Sequence, residues 1–314
     1  MMALKNNNVA LVMPFFGKLP GYFDLYLSSL AKVNMDVLFV SDLRPRSFPS
    51  NLKIVQMSFH EVRALAAEKL GVPVALETPK KLCDFKPMYG KIFEDYLKGY
   101  DYWAFGDCDL VYGLAFNEHL KMATSGVWDV VSMRKLWVAG SCCILRNTEK
   151  IVNLYLRANN WQEMVSERGE NNLWDECGGC FFSKLESGEL TMGDCQKIRD
   201  SFGAVVFRSP DLKVFHDDRV CESKLIRQTV MMDAEGRLTI NGVEIPIFHY
   251  IHVKGRGMFV IPADSDAWQS GFLIERTGFY ALPISSVRYV AVKMFRISKA
   301  AIKSGWARLT RCVR

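Results

Sequence analysis

With 314 residues, 49% of them hydrophobic, the chain is long enough for one large domain or two small ones and can fill a core. No uninterrupted apolar run reaches bilayer length and residues 1–8 lack a signal-peptide pattern, so a cytoplasmic protein is expected. The net charge of +6 gathers at the C-terminal end: from Arg276 onward there are nine Lys/Arg and no Asp or Glu, against 31 basic and 34 acidic side chains before it, which argues against nucleic-acid binding by the body of the chain.

The run Val9-Ala10-Leu11-Val12-Met13 reads as a buried strand ending at Pro14-Phe15-Phe16-Gly17. Helical spacing of apolar residues follows over 22–32, and Val37-Leu38-Phe39-Val40 is a second strand stopping at Ser41-Asp42. Strand, helix, strand implies a parallel pair with a right-handed crossover. Ligands of such sheets gather beyond the carboxyl ends of the strands, where Phe15, Phe16 and Asp42 would lie. The same residues also fit an ordinary strand-to-helix turn and a solvated loop acid. Residues 52–57 form a third strand, and Ser58 with Glu61 makes a capping box for a helix through Leu70 that ends at Gly71. His60 falls in its first turn and reads as a helix-end histidine.

Pro87 is expected to hold Lys86 extended and to open a helix running through Tyr89, Ile92, Phe93, Tyr96 and Leu97. A cation just before a helix N-terminus calls for a nearby anion, either a ligand phosphate or sugar carboxylate, or Asp84 as an internal partner. The aromatic run 100–105 leads into Gly106-Asp107-Cys108-Asp109-Leu110-Val111-Tyr112-Gly113. Two carboxylates one residue apart project alike from extended backbone, and in an apolar setting they need a counter-ion, for which Mg²⁺ or Mn²⁺ suits Asp oxygens. Asp264-Ser265-Asp266 has the same spacing, but in a polar helix-start context where acids need no metal.

Asp84-Phe85-Lys86-Pro87, a helix, Asp101-Tyr102-Trp103 and then Asp107-Cys108-Asp109-Leu110-Val111-Tyr112-Gly113 resemble bacterial GT-A glycosyltransferases of polysaccharide (capsule and O-antigen) gene clusters. More loosely, the resemblance runs from about residue 8 to about residue 260. It implies a Rossmann-like α/β fold with a mixed central sheet and flanking helices. It also implies a nucleotide-sugar donor, foremost a UDP-sugar, whose diphosphate is bridged by Mn²⁺ or Mg²⁺ near Asp107 and Asp109. The acceptor it implies is a glycan or lipid-linked saccharide. By the same resemblance Pro14, Phe15, Phe16 and Asp42 border the base and ribose, Lys86 meets the donor phosphate, and a strand through Gly140 lies under the transferred sugar.

Residues 127–132 read as a strand, and 136–145 as another interrupted by Gly140, where a glycine marks a bulge or a close ligand approach. A helix is expected over 148–161, then a polar loop over 166–172. In Leu173-Trp174-Asp175-Glu176-Cys177-Gly178-Gly179, two adjacent acids between an aromatic and glycines can put one carboxylate into a cleft, where it takes the proton of an attacking sugar hydroxyl. A solvated turn is the plain alternative, and Asp129 is a weaker competitor. Cys177 and Cys180 have Cys-X-X-Cys spacing but no second pair, so the nine cysteines are expected to be reduced.

Asn241-Gly242 between alternating runs predicts a hairpin whose second strand covers 243–253, with Pro246 at an edge or bulge. His252 at that strand's end, followed by Lys254 and Arg256, looks like the late metal and phosphate element of several GT-A families. This implies His252 as third metal ligand and Lys254 and Arg256 as phosphate contacts, with His249 structural. In the C-terminal segment, Lys293, Arg296, Lys299 and Lys303 recur at three- and four-residue spacing with apolar residues largely elsewhere around the wheel. That pattern suits a helix lying on an anionic membrane surface, here the inner face of the cytoplasmic membrane, and also a basic helix packed on the core.

The expected organisation is a GT-A domain over 1–280 and a basic amphipathic segment over 281–314. Its expected activity is metal-dependent, hexosyltransferase-like sugar transfer in surface polysaccharide biosynthesis. Two rivals remain. One is a haloacid-dehalogenase-like phosphohydrolase using Asp107 and Asp109 with Asp217-Asp218 as its later acidic pair; the other is a non-catalytic homologue that binds sugar nucleotide.

Overall fold

The computed structural model describes residues 8–46, 48–218, 220–254, 259–261, 270–285 and 287–299. Arg256, Asp264, Asp266, Lys303 and the rest of 300–314 lie outside the described residues. The chain is mixed α/β, with a central mixed sheet and flanking helices. It forms two compact units: one comprises the residues up to Leu19, Asn34–Cys108 and Asn117–Val220, the other Pro20–Val33, Asp109–Phe116 and the residues from Cys221 on.

The first unit is built on a seven-stranded sheet. Its strands are β1 (Val9–Pro14), β2 (Asp36–Ser41), β3 (Leu52–Gln56) and β4 (Tyr102–Gly106), then, after β5 (Leu110–Tyr112) of the other unit, β6 (Val130–Ser132), β7 (Cys142–Arg146) and β8 (Val214–His216). The order is β3-β2-β1-β4-β7-β6-β8, with β1 parallel to both β2 and β4 and with β7 antiparallel to β4 and β6. β2 is buried along its whole length, as the near-continuous apolar runs of central parallel strands require, whereas edge strand β3 is only partly buried. α1 (Phe23–Leu30) and α2 (Phe59–Leu70) form where helical spacing places them. The Ser58 hydroxyl accepts from Glu61 N, Ser58 N donates to Glu61 Oε2 at 2.7 Å, and Gly71 closes α2 at φ 68°.

Three expected elements are broken in this unit, each for a tertiary reason. The helix expected after Pro87 is instead a chain of short turns, Leu82–Phe85, Lys86–Met88 and Tyr89–Ile92, and Lys86 is helical (φ −47°, ψ −46°) rather than extended. Residues 84–90 are buried consecutively, which one face of a straight helix cannot provide, and Gly90 lies where a Cβ would stand 2.5 Å from the Trp103 ring. The strand expected over 136–145 begins only at Cys142, because the backbone groups of Gly140 are taken by Glu176 and Lys86. The helix expected over 148–161 splits into Glu149–Val152, Leu154–Arg157 and Trp161–Ser166, as the Asn159 amide donates to Asp200 Oδ2 at 2.8 Å.

In the second unit β5 pairs with β13 (Ile247–His249), which lies beside β9 (Val220–Glu222). A five-stranded sheet runs β12-β11-β10-β14-β15, from β10 (Val230–Met232), β11 (Leu238–Ile240), β12 (Val243–Glu244), β14 (Phe272–Glu275) and β15 (Gly278–Ala281). Asn241 and Gly242 both take positive φ (50° and 83°), which gives the expected hairpin its tight turn. The strand expected over 243–253 is divided: β12 ends before Pro246, β13 joins the other sheet, and Ile251–Lys254 is a helical turn, so His252 is not on a strand. A helix covers 287–299, but Lys293 and Arg296 turn inward. Lys293 Nζ lies 2.6 Å from Glu275 Oε2, and Arg296 is buried over the Tyr280 ring at 4.2 Å. Among the described residues, no helix is long and apolar enough to cross a membrane.

Gly203, in the helix Phe202–Arg208, lies where a Cβ would stand 1.7 Å from the Glu176 carbonyl oxygen, whereas the same atom at Gly193 meets nothing nearer than 3.6 Å. Gly203→Ala should therefore lower stability by about 1–3 kcal/mol through overpacking, while Gly193→Ala should be neutral or gain up to about 1 kcal/mol. Paired thermal melts check the contrast, and equal melting temperatures would contradict the packing described.

Candidate active site

The strand order of the first unit reverses at β1, with β2 and β3 on one side and β4 on the other. Such a switch point opens a crevice beyond the carboxyl ends of the two strands. A cavity of about 290 Å³ lies there, lined by Pro14 at the end of β1 with Phe15 and Phe16 beyond it, by Asp107 and Cys108 after β4, and by Lys80, Cys83 and Lys86. Phe15 is fixed through its backbone, its N donating to Val40 O at 3.0 Å and its carbonyl accepting from Ser41 Oγ at 2.6 Å. The Phe16 ring packs on Phe59, 5.4 Å between centroids. Asp42 follows β2, is exposed, and does not line this cavity.

Lys86 is the polar centre of the cavity. Its ammonium donates to Asp107 Oδ1 at 2.8 Å and to the Gly140 carbonyl at 2.8 Å, and lies 3.3 Å from Asp175 Oδ2. Burial opposes its charge, but Asp107 and Asp175 outweigh that and hold its pKa well above the usual lysine range. Burial pushes Asp175 up to about 6 although Lys86 pulls it down, and burial with the Asp175 charge pushes Glu176 up to about 8. Glu176 Oε1 accepts from Gly140 N at 3.0 Å. A Cβ at Gly140 would stand 2.5 Å from Asp175 Oδ2 and 2.9 Å from Glu176 Cδ, so only glycine serves both side chains here. Asp175 is 2% exposed, and its Oδ1 has no hydrogen-bond partner among the described residues. Cys83, pushed up to about 12 by burial, is a neutral thiol in the wall.

The acidic loop is held from beneath by Asp84, which does not serve as the internal partner of Lys86. Asp84 pairs instead with Lys81 at 3.0 Å, both fully buried, and accepts from Asn172 N at 2.9 Å and Trp174 N at 3.1 Å. The segment bearing Asp175 and Glu176 is therefore a pinned, buried loop rather than a solvated turn. Sequence reasoning passed over Lys81. Its signal was a lysine three residues before an acid at the start of an apolar turn, a spacing that brings the two side chains together.

In the second unit, Asp109 is 3% exposed, with His249 Nε2 at 3.2 Å and the Lys254 ammonium hydrogen-bonded to the same carboxylate oxygen. Burial would raise its pKa, but His249 and Lys254 hold the carboxylate well below the usual range. The other His249 nitrogen lies 2.7 Å from Glu222 Oε1, an orienting carboxylate. Asp109 and His249 of this unit offer a carboxylate oxygen and an imidazole nitrogen, donor types that suit Mn²⁺ or Mg²⁺. His249, expected to be structural, lies against Asp109, while the His252 ring faces Glu222 Oε2 at 3.4 Å from a half-exposed position. Lys254, expected on phosphate, meets a carboxylate here.

Asp129 accepts from Lys213 N at 3.0 Å and is not among the residues that line the cavity. Asp217 and Asp218 follow β8, which β7 and β6 separate from β4, so the first unit does not bring them to Asp107 as the phosphohydrolase reading requires. No disulfide joins the eight cysteines among the described residues.

A stretch of 81 residues, 25% of this chain, is 35% identical to the vacuolar protein sorting-associated protein VTA1 of Saccharomyces cerevisiae, and it spans only 21% of that protein. Two solved structures are similar at low identity. Residues 1–349 of TarS from S. aureus match at 14% identity and a TM-score of 0.27, over 47% of this chain and 48% of that one. Mouse xyloside xylosyltransferase 1 in its apo form matches at 12% identity and a TM-score of 0.37, over 77% of this chain and 97% of that one. A family model covers far more of the chain, from residue 11 to residue 283. The protein belongs to that family, DUF6625, a family of unknown function.

Proposed function

We propose that this protein transfers a hexosyl group from a nucleotide-sugar donor to a glycan or lipid-linked acceptor, with a divalent metal as cofactor. One observation carries the reading. The motif residues Pro14 to Phe16, Lys86 and Asp107 line a single cavity beyond β1 and β4, which combines aromatic residues with a paired ammonium and carboxylate. Aromatic lining suits a nucleotide base, and the charged pair suits a pyrophosphate with its cation. The UDP-sugar, the setting in polysaccharide synthesis and the inner face of the cytoplasmic membrane rest on the motif resemblance and the basic C-terminal segment. Residues 1–280 would carry the transfer and 281–314 the attachment.

Breaking the anomeric C–O bond leaves positive character on the sugar and negative charge on the departing diphosphate. A metal held at the Asp107-Cys108-Asp109 motif, with His249 beside Asp109, would supply charge neutralisation at that diphosphate. Lys86 holds the Asp107 carboxylate through Oδ1. Lys254, released from Asp109, and Arg256 would contact the phosphates. Gly140, with no side chain of its own, leaves room for the Asp175 and Glu176 carboxyls to lie against its backbone. Asp175 accepts the proton of the acceptor hydroxyl: with a pKa of about 6 it is mostly ionised at neutral pH and a stronger base than an ordinary carboxylate. Glu176, at about 8, stays protonated beside it, so the pair carries one negative charge rather than two.

Thermal melts with a panel of nucleotide sugars test the donor assignment. The matching donor should raise the melting temperature only with Mn²⁺ present, by the equivalent of about 2.7 kcal/mol at a hundredfold excess over its Kd, and Asp109→Asn should abolish the rise. Stabilisation without metal, or by no donor, contradicts the proposal. The acid pair gives a second test. The folded-state pKa of Glu176, about 8, lies above its ordinary 4.5, so folding takes up a proton. That stabilising contribution is complete below pH 4.5, declines as pH rises and is gone above about pH 8, falling by about 1.4 kcal/mol for each pH unit in between. Glu176→Gln keeps an acceptor for Gly140 N and cannot ionise, so its melting temperature relative to the parent should climb between about pH 5 and about pH 8.5. A pH-independent difference would show that the acid is not held protonated.

A further inference from the structure

We propose that the second unit carries an anion pocket of its own that takes the phosphate of a membrane lipid headgroup; this deepens the membrane-contact part of the function above and rests on it. A cavity of about 520 Å³ is lined by Arg227, Arg276, Lys293 and Glu275, with Leu225, Ile226 and Ile297 among its apolar walls. Three cations thus face one carboxylate. Glu275 is buried and saturated: Lys293 stands 2.6 Å from one oxygen, while Thr229 at 3.1 Å and the Tyr289 hydroxyl bond the other. Lys293 is likewise committed to that carboxylate and to Tyr289 at 3.0 Å. Arg227 and Arg276 are exposed and form no ion pair among the described residues. Arg227 and Arg276 both line the cavity, and two guanidiniums without a carboxylate partner offer planar donors that phosphate oxygens satisfy.

The surroundings of the pocket select a lipid over a soluble phosphate. Val287, Val290, Met294 and Ile297 recur at three- and four-residue spacing on the helix over 287–299 and are 79%, 55%, 58% and 42% exposed, with Phe295 at 66% beside them. Ile226, on the pocket's own wall, is 65% exposed. An apolar row of this size calls for cover. Because the chain carries no acid from Arg276 to its end, that cover is an anionic surface rather than a basic one. A phospholipid meets both demands, its phosphate between Arg227 and Arg276 and its acyl region against the apolar row. The helix therefore presents apolar residues outward while its inward cations, Lys293 and Arg296, brace the sheet.

Sedimentation of the full chain with phosphatidylcholine vesicles, with and without phosphatidic acid, tests this, alongside thermal melts in inorganic phosphate. The parent protein should bind only the vesicles containing phosphatidic acid, and the double variant Arg227→Gln/Arg276→Gln should weaken that binding about tenfold or more. Charge reversal, Arg227→Glu/Arg276→Glu, should do the same, and unchanged melting temperatures verify that both variants fold. Val290→Asp/Met294→Asp should also weaken binding without altering any effect of inorganic phosphate. If both arginine variants bind as the parent does, while truncation after Lys299 abolishes binding, the pocket is wrong and the membrane contact stands. If the parent binds neither vesicle, membrane contact and lipid pocket both fail, and the metal-dependent donor shift remains an independent test of sugar transfer. Arginine-dependent stabilisation by inorganic phosphate without vesicle binding would overturn the lipid assignment in favour of a soluble anion.

Discussion

A single buried ammonium organises the first unit. Lys86 is 6% exposed and has to be surrounded by oxygen, and its three partners, Asp107, the Gly140 carbonyl and Asp175, come from three separate parts of the chain. Leaving a buried charge unpaired costs several kcal/mol, whereas one backbone hydrogen bond contributes about 1 kcal/mol net. The larger quantity decides the local structure. Residues 82–92 give up a continuous helix for a series of turns that delivers Lys86 into the cavity, and residues 136–141 give up a strand so that Gly140 can face the ammonium with its carbonyl and Glu176 with its amide.

The same hierarchy explains what could be read from the sequence. β1, β2, the capping box of α2 and the Asn241-Gly242 turn were legible because each is specified by residues within a few positions of one another, through burial period, a reciprocal cap, or positive φ. Elements failed where a distant side chain claims the backbone: Gly140 by Lys86 and Glu176, and Asn159 by Asp200. The separate surroundings of His249 and His252 escaped the sequence for a related reason. Alternation suggests one strand through 243–253, but Pro246 cannot continue a ladder as a donor, the chain passes to another sheet, and Ile251–Lys254 coils. Of the site, the Asp-X-Asp pair, Lys86 and the loop after β1 were legible as motifs; the Lys81–Asp84 support was not, since its meaning depends on burial.

Charge is distributed unequally among the carboxylates. Asp109, between His249 and Lys254, is held ionised well below the ordinary range, whereas Asp175 is displaced upward by burial with the Asp107 and Asp84 charges, and Glu176 by burial with the Asp175 charge. Environments that separate the pKa values of like groups assign them different work. A carboxylate that stays charged suits a cation, and one poised near neutrality suits proton transfer. The separation arises from counting counter-charges: Asp109 has two donors to itself, while Asp175 shares Lys86 with Asp107, and the nearest donor to Glu176 is the uncharged amide of Gly140.

Such poise requires that the acidic loop not relax. Leu173 holds a positive φ of 55°, a conformation costing about 1–2 kcal/mol for a side-chain-bearing residue, and Asp84 offsets this by accepting from the amides on both sides of it, at Asn172 and Trp174. The loop is thus fixed before any ligand arrives, and the carboxylate it presents has one oxygen committed to Lys86 and the other, Oδ1, buried without a donor among the described residues. An unsatisfied buried acceptor costs about 1–3 kcal/mol, and that cost is recovered only by a group that donates to it. In the proposed transfer, a hydroxyl seated at Oδ1 would be drawn into hydrogen-bonding geometry by the same deficit that raises the basicity of the oxygen it meets, which would couple binding and proton acceptance at one atom.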